Sequence, residues 1–144
     1  MKPLRQAVVA IIVNQKREIL IGNSPRDGGF KFPQGGLEKD ESPNLGLFRE
    51  IKEELNVDLK ELDIISSFKE TAIYLFPPHL MEVRPFSGQE LFVFQIQYRS
   101  HMVFTPQDNE FDQMLWLKAD DILKLDLSFR RPAYEKALKM CDLI

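Results

Sequence analysis

The sequence contains a single cysteine, Cys141, so no internal disulfide framework can form, and the scarcity fits a reducing cytoplasm. A lone cysteine near the C-terminus reads as a helix-face residue rather than a nucleophile. Long hydrophobic runs are missing too: none approaches the ~20 residues that a membrane-spanning helix needs. The apolar stretch Ala7–Val13 follows Lys2 and Arg5 and has the outline of a short leader. It lacks a small-residue cleavage site and runs straight into the polar turn Asn14–Arg17, so it reads as a buried strand. An excess of basic residues is also absent. With 19 Lys and Arg against 22 Asp and Glu, the formal net charge is −3, which argues against a protein that coats nucleic acid by bulk electrostatics. A phosphate-rich ligand would have to be met by a local basic patch and a bound metal. Neither a repeat nor a low-complexity tract occurs. The 144 residues, of ordinary globular composition, suit one domain over residues 1–144 with a real core.

What the chain does have is a dense motif. Residues 35–57 pair a glycine turn with an acidic amphipathic segment. On a helix of roughly 3.6 residues per turn, Glu50, Glu53 and Glu54 stand at i, i+3 and i+4 and share one face. Carboxylates that close repel one another unless a positive charge sits among them. A hard divalent cation such as Mg²⁺, which prefers oxygen ligands, answers that need. Ser42 is the expected N-cap, Pro43 occupies the first turn, and Leu47, Phe48, Ile51 and Leu55 form the buried stripe. Gly46, mid-helix, costs on the order of 1 kcal/mol relative to alanine. It implies either tight packing or room for metal or phosphate near the backbone.

The remaining elements follow from patterning. Ala7–Val13 is a continuous β-branched run, the mark of a strand buried on both faces. Glu18–Gly22 returns from the turn, and 24–30 is a loop rich in turn formers. Leu62–Phe68 and Thr71–Leu75 read as strands around Lys69-Glu70, and Phe76–Gln89, with Pro77, Pro78, Pro85 and Gly88, as a long surface loop. Leu91–Tyr98 and Met114–Leu117 are further strands. A short helix starts at Ala119 and ends about Leu125, and Pro132–Leu143 is the terminal helix. The order indicates an α/β (α+β) class: an α/β/α sandwich around a mixed sheet.

The spacing of the acidic run also resembles a known pattern. Gly35, five residues, Glu41, seven residues, Arg49-Glu50, then Ile51, Glu53-Glu54 and Val57 resembles the Nudix box. The one departure is Asn56 where the family has glycine. That position is the helix C′ residue, where asparagine is the usual substitute because it tolerates left-handed angles. The lead-in Phe30-Lys31-Phe32-Pro33-Gln34-Gly35-Gly36, the segment Glu110-Phe111-Asp112 with Trp116, and Ser128-Phe129-Arg130-Arg131 with Tyr134 are similar to the bacterial RNA 5′-pyrophosphohydrolase and diadenosine polyphosphate hydrolase branch of that family.

The resemblance implies a Nudix-type fold and a phosphoanhydride hydrolase that uses Mg²⁺, with Mn²⁺ as a substitute. The metal ligands would be Glu50, Glu53 and Glu54, with Gly35 beside them and Glu110 as a distant ligand or base. The water's proton would fall to Glu53 or Glu110. Glu41 and Arg49 would orient the loop against the helix, Arg49 pairing with Glu53 or with Glu41. Phe129 and Arg130 would line the nucleobase pocket, with Phe30 and Tyr74 as further candidates, and Arg5 and Lys31 would meet phosphate. The implied substrate is the 5′-triphosphate or diphosphate end of RNA, or alternatively a dinucleoside polyphosphate. Membranes and DNA are not implied partners. A non-hydrolysing nucleotide sensor is disfavoured by the intact glutamates. Relatives in this branch carry Gln-Lys where this chain has Gln89-Glu90, a reversal of charge that Arg84, Arg26 or Lys31 would have to offset.

Overall fold

The structure is a computed structural model, and it describes residues 2–57, 63–100, 102–107 and 110–144. Leu62, which begins one of the expected strands, lies outside the described residues.

The chain runs β1 (Leu4–Val13), β2 (Ile19–Asn23), β3 (Phe30–Lys31), β4 (Gln34–Gly36), α1 (Pro43–Leu55), β5 (Asp63–Leu75), α2 (Pro78–Val83), β6 (Gly88–Gln97), β7 (Gln113–Leu117), α3 (Ala119–Ile122), a 3₁₀ turn (Ser128–Arg130) and α4 (Arg131–Met140). The strands form one seven-stranded mixed sheet in the order β3-β2-β1-β6-β5, with β4 on β1 and β7 on β2. β1 and β6 pair in parallel over ten residues, from Leu4 opposite Gly88 to Val13 opposite Gln97.

The apolar run of β1 is uninterrupted because both of its faces are covered. Side chains alternate across a strand, so Val8, Ala10 and Ile12 meet Leu47, Ile51 and Leu55 of α1. Ala7, Val9, Ile11 and Val13 face the opposite layer, where Ile122 of α3 and Ala133, Tyr134, Ala137 and Leu138 of α4 are buried. The result is helix, sheet, helix, as the sequence predicts. Among the described residues, no helix is long and apolar enough to cross a membrane. Cys141 caps α4 as a buried thiol, and burial pushes its pKa up to about 12.

Two segments depart from the sequence reading. The two strands expected around Lys69-Glu70 are one, β5. Its register against β6 slips between Ser67, opposite Phe94, and Thr71, opposite Phe92. The polar pair that reads as a break sits in this irregularity, a β-bulge absorbing extra residues without ending the strand, and Lys136 of α4 pairs with Glu70 at 2.7 Å. The expected loop over 76–89 contains α2, and β6 already begins at Gly88. Pro77 is the extended N-cap and Pro78 stands in the first turn, where a missing N–H costs nothing. The prolines start this helix rather than preventing one.

Candidate active site

α1 begins where the sequence places it. Ser42 Oγ accepts the Leu45 N–H at 3.3 Å, and Pro43 follows in the first turn. The helix ends on Asn56 at φ 56°, ψ 39°, with its N–H donated to Lys52 O at 3.0 Å. Asparagine therefore performs the left-handed C-cap that glycine serves in the family pattern. Gly46 is a packing glycine: a Cβ there would collide with Leu37 Cδ2 and press on the Glu41 carboxylate, so the space is filled by protein rather than held open for a ligand.

β4 lies antiparallel to β1, with Gly35 opposite Val8, and delivers two glycines to the rim of the helix. A Cβ on Gly35 would run into the Glu50 carboxylate, and one on Gly36 into the Arg5 guanidinium. Glu50 and Arg5 thus rest directly on backbone. Behind them Arg49 ties loop to helix. Its Nε and Nη2 grip both oxygens of Glu41 at 2.8 and 2.7 Å, Nη2 also reaches Gly36 O at 2.9 Å, and Nη1 touches Glu50 at 2.8 Å and Glu53 at 3.3 Å. Arg49 therefore pairs with Glu41 and, more loosely, with Glu53. Its hydrogen bonds, aided by the backbone N–H of Glu38, hold the Glu41 carboxyl down to about 2.

The three helix carboxylates sit in different surroundings. Glu53 is the exposed one, its side chain 57% accessible. Glu50 is largely buried; burial pushes its pKa up against the pull of Arg49, and neighbouring Glu53 adds to the rise. Glu54 is buried, and one of its oxygens, Oε2, has no hydrogen-bond partner. The other accepts only a long bond, 3.4 Å, from the Gln34 N–H. Burial drives its pKa well above the ordinary carboxylate range, opposed by Lys31 and reinforced by Glu110 and Glu50.

The loop before β7 brings Glu110 in. It is sewn to the end of α1 by Thr105 N–H to Leu55 O and Gln107 N–H to Glu54 O, at 2.8 and 2.9 Å. Glu110 is buried and lies between two cations, Lys31 Nζ at 2.7 Å and Arg26. Lys31 is itself buried and also pairs with Asp27 at 2.8 Å. Burial alone would lower the lysine pKa, but Glu54, Asp27 and Glu110 outweigh it and raise the value.

These groups line one cleft of about 590 Å³. The same cleft is lined by a wall of rings and guanidiniums. Phe129 packs on Tyr74 (5.6 Å between centroids) and edge-on to Phe76 (5.9 Å). Arg130 lies over Phe129 at 4.9 Å and Arg84 over Phe76 at 4.7 Å. Arg130 is buried and anchored on Gly28 O and Asp27 O. Beneath this wall Gln34 bridges two tyrosines: its Nε2 donates to Tyr74 Oη at 3.1 Å, and Tyr134, fully buried, donates to its Oε1.

Of the residues singled out from sequence, Gly35, Glu50, Glu53, Glu54, Glu110, Arg5, Lys31, Tyr74, Phe129 and Arg130 all line this cleft. Glu41 and Arg49 stand behind it as braces. Phe30 is not on its wall: on β3 it pairs with Asn23 of β2, and it packs into the apolar layer on the α4 side. Gln34 and Tyr134 lie within the quoted motifs but carry no signal of their hydrogen bond. Phe76 belongs to none of those motifs and has no sequence signal at all. Among the described residues, no three acidic, histidine or cysteine groups are drawn together at metal-coordinating spacing. Arg49, Lys31 and Arg26 hold several of the carboxylates instead.

Known proteins are similar to this chain in sequence and in fold. The model of the NUDIX domain family matches residues 3–137. The chain is 31% identical over 146 residues to an RNA pyrophosphohydrolase of a Nitratiruptor species, covering 96% of this chain and 93% of that protein. An RNA pyrophosphohydrolase of a Marinomonas species is 30% identical over 142 residues, with 94% and 88% covered. Among solved structures, a C. elegans Ap4A hydrolase binary complex superposes with a TM-score of 0.71 at 15% identity, covering 95% of this chain and 96% of that one. The E. coli dihydroneopterin triphosphate pyrophosphohydrolase gives 0.70 at 20%, covering 96% and 99%. At such identities the structural likeness speaks for the fold alone.

Proposed function

Because the chain belongs to the NUDIX family, we propose that its cleft is the active site of a Mg²⁺-dependent phosphoanhydride hydrolase acting on the 5′-triphosphate or diphosphate end of RNA, in the cytoplasm. The product is a 5′-monophosphate end, with pyrophosphate or phosphate released. The observation that carries this reading is one cleft lined together by the helix carboxylates, by arginines and by aromatic rings. The sequence likeness to RNA pyrophosphohydrolases over 96% of the chain supports the choice of substrate.

The residues fit a hard divalent cation. Glu50, Glu53 and Glu54 offer only oxygen donors, and the buried Glu54 Oε2 is an acceptor with no hydrogen-bond partner among the described residues. When bound, the cation supplies Lewis-acid neutralisation of the phosphate oxygens. The chain's own groups do the rest. Gly35 has no side chain, so Glu50 can settle against the backbone beside the phosphates. Arg49 fixes the helix against the loop. Arg5, Arg26 and Arg84 face the polyphosphate, each a fork suited to paired phosphate oxygens. Phe129 offers a stacking face for a base, backed by Tyr74 and Phe76, with Arg130 as the cationic edge. Water attacks phosphorus, the bridging P–O bond breaks, and the water's proton passes to Glu53 or Glu110.

The test is a side-by-side rate comparison, with Mg²⁺, on triphosphorylated RNA, diadenosine tetraphosphate and free nucleoside triphosphates. Highest kcat/KM on the RNA end is expected. A clear preference for diadenosine tetraphosphate would replace RNA by a dinucleoside polyphosphate as substrate. No hydrolysis of any of the three would overturn the reading.

A further inference from the structure

Lys31 stands among the acidic residues of the cleft. Its ammonium is 2.7 Å from Glu110 Oε1 and 2.8 Å from Asp27 Oδ2, and its side chain is only 6% exposed. A lysine this buried is rare unless it is paired, and one of its two partners is the loop carboxylate of the proposed active site. The backbone from which it reaches in is fixed: Lys31 lies opposite Gly22 in the β2–β3 pairing. Phe111 lies against that same glycine, leaving no room for a Cβ, and its ring is 5.9 Å from the Lys31 ammonium. Arg26, the other cation on Glu110, is 57% exposed and free to swing out. Lys31 has no such freedom.

We propose that the Lys31 ammonium is a resident cation of the acidic site, held between Glu110 and Asp27 where a divalent ion would otherwise bind. It acts as a positioning residue for Glu110 and limits how many divalent ions the carboxylates take. An ammonium donates three hydrogen bonds as a single positive charge, whereas a magnesium ion demands near-octahedral oxygen donors at about 2.0–2.1 Å. With the ammonium on Glu110 and Asp27, and Arg49 on one oxygen each of Glu50 and Glu53, the donors left open are on α1, the unpartnered Glu54 Oε2 foremost. The site is thereby divided: the helix carboxylates serve the metal, and the loop carboxylate is kept by the lysine. This inference rests on the metal reading above, and its test separates the two.

The experiment counts Mn²⁺ bound to the full chain by electron paramagnetic resonance, without nucleotide, for the wild type, Lys31→Met and Lys31→Arg. Lys31→Met should bind one more ion per chain than the wild type, and the extra ion should vanish when Glu110→Gln is added. Lys31→Arg should keep the wild-type count. A folded Lys31→Met chain with the wild-type count, or with fewer ions, overturns the proposal. Should Lys31→Met fold poorly, Mn²⁺ should restore its circular dichroism; a chain that Mn²⁺ cannot restore also overturns it, because the ion then does not take the ammonium's place. A wild type that binds no Mn²⁺ would strike the metal reading instead, and Lys31→Met gaining its first ion would still support the resident cation.

Discussion

Glu54→Gln should make the metal-free protein more stable while removing its activity. Glu54 is 5% exposed, its Oε2 meets no donor, and its Oε1 has only the 3.4 Å contact with Gln34. An ionised carboxylate in that setting is costly, and Glu50 and Glu110 raise the cost while Lys31 offsets part of it. Glutamine keeps the shape and one acceptor but sheds the charge. A net gain of about 2 kcal/mol is the right order for relieving one poorly satisfied buried charge. For a chain of this size that corresponds to a rise in melting temperature of roughly 4–8 °C.

The sign depends on pH and on metal. Because the folded-state pKa of Glu54 is raised above its ordinary value of 4.5, the native protein holds a proton there that the unfolded chain releases. Stability of the metal-free wild type therefore falls as pH climbs above 4.5 toward the folded value, and Glu54→Gln should flatten that fall. Metal acts the other way. A ligand present at 100 times its Kd stabilises by about 2.7 kcal/mol, and the wild type should collect this increment while the variant gains little. Thermal melts of both proteins at mildly alkaline pH, with chelator and with excess Mg²⁺, give the four values required. A variant that melts below the wild type in chelator, or that gains as much from Mg²⁺, would refute the account of Glu54 as a strained carboxylate awaiting a cation.

Glu53→Gln should lower kcat by roughly 10²-fold or more yet leave the melt nearly unchanged, since the side chain is 57% exposed; undiminished turnover would remove it from the metal site. Phe129→Ala should weaken nucleotide binding about tenfold or more, from the loss of roughly 1–3 kcal/mol of stacking, while Mn²⁺ affinity stays the same; equal nucleotide affinity would take the base pocket away from this wall. The Glu41–Arg49 brace should show in acid. The folded pKa of Glu41 is depressed to about 2 from 4.5, so its contribution is complete above 4.5 and is lost as pH falls toward 2. Urea melts across that window should show a steeper loss for the wild type than for Glu41→Gln, and parallel curves would contradict the brace.

The parts of this site that obey a local rule are readable in the chain. Ser42, Pro43 and Asn56 announce the ends of α1 because capping is a property of a few adjacent residues, and the helix forms between them as expected. Carboxylates on one helical face follow from the helical period alone. What the sequence conceals are facts that depend on partners far along the chain. Gln34 and Tyr134 are 100 positions apart, and no local pattern says that they share a hydrogen bond. Lys31 reads as a phosphate ligand until its backbone pairs with Gly22 and turns the ammonium toward Glu110 and Asp27. Phe30, one residue earlier, points to the other side, as neighbours on a strand do, and so leaves the cleft. The bulge in β5 and the helix after Pro77 escape a local reading for a related reason: polar or proline-rich spelling resembles a break unless the sheet and the chain entry are known.

The same alternation settles the meaning of Glu90. In sequence it reverses a charge that relatives in this branch carry, and a linear reading sets its carboxylate against the phosphates. On β6, however, Gln89 is the residue that lines the cleft, and Glu90 must point to the opposite side. There its carboxylate accepts a hydrogen bond from Thr71 Oγ1 at 2.9 Å. The reversal therefore puts no negative charge in front of the substrate. Besides Lys31 and Arg130, the cations that line the cleft come from elsewhere: Arg5 near the start of β1, Arg26 on the loop after β2, and Arg84 at the end of α2. Arg26 and Arg84 lie at connections of the fold, where side-chain direction is not dictated by strand pleat or helical period, whereas Arg5 stands opposite Gln89 in the β1–β6 pairing and lines the cleft with it. The carboxylates of the proposed metal site stand on a regular helix and so show plainly in the sequence. Of the cations proposed to face a polyphosphate, Arg26 and Arg84 stand on irregular segments, where sequence patterns are weakest.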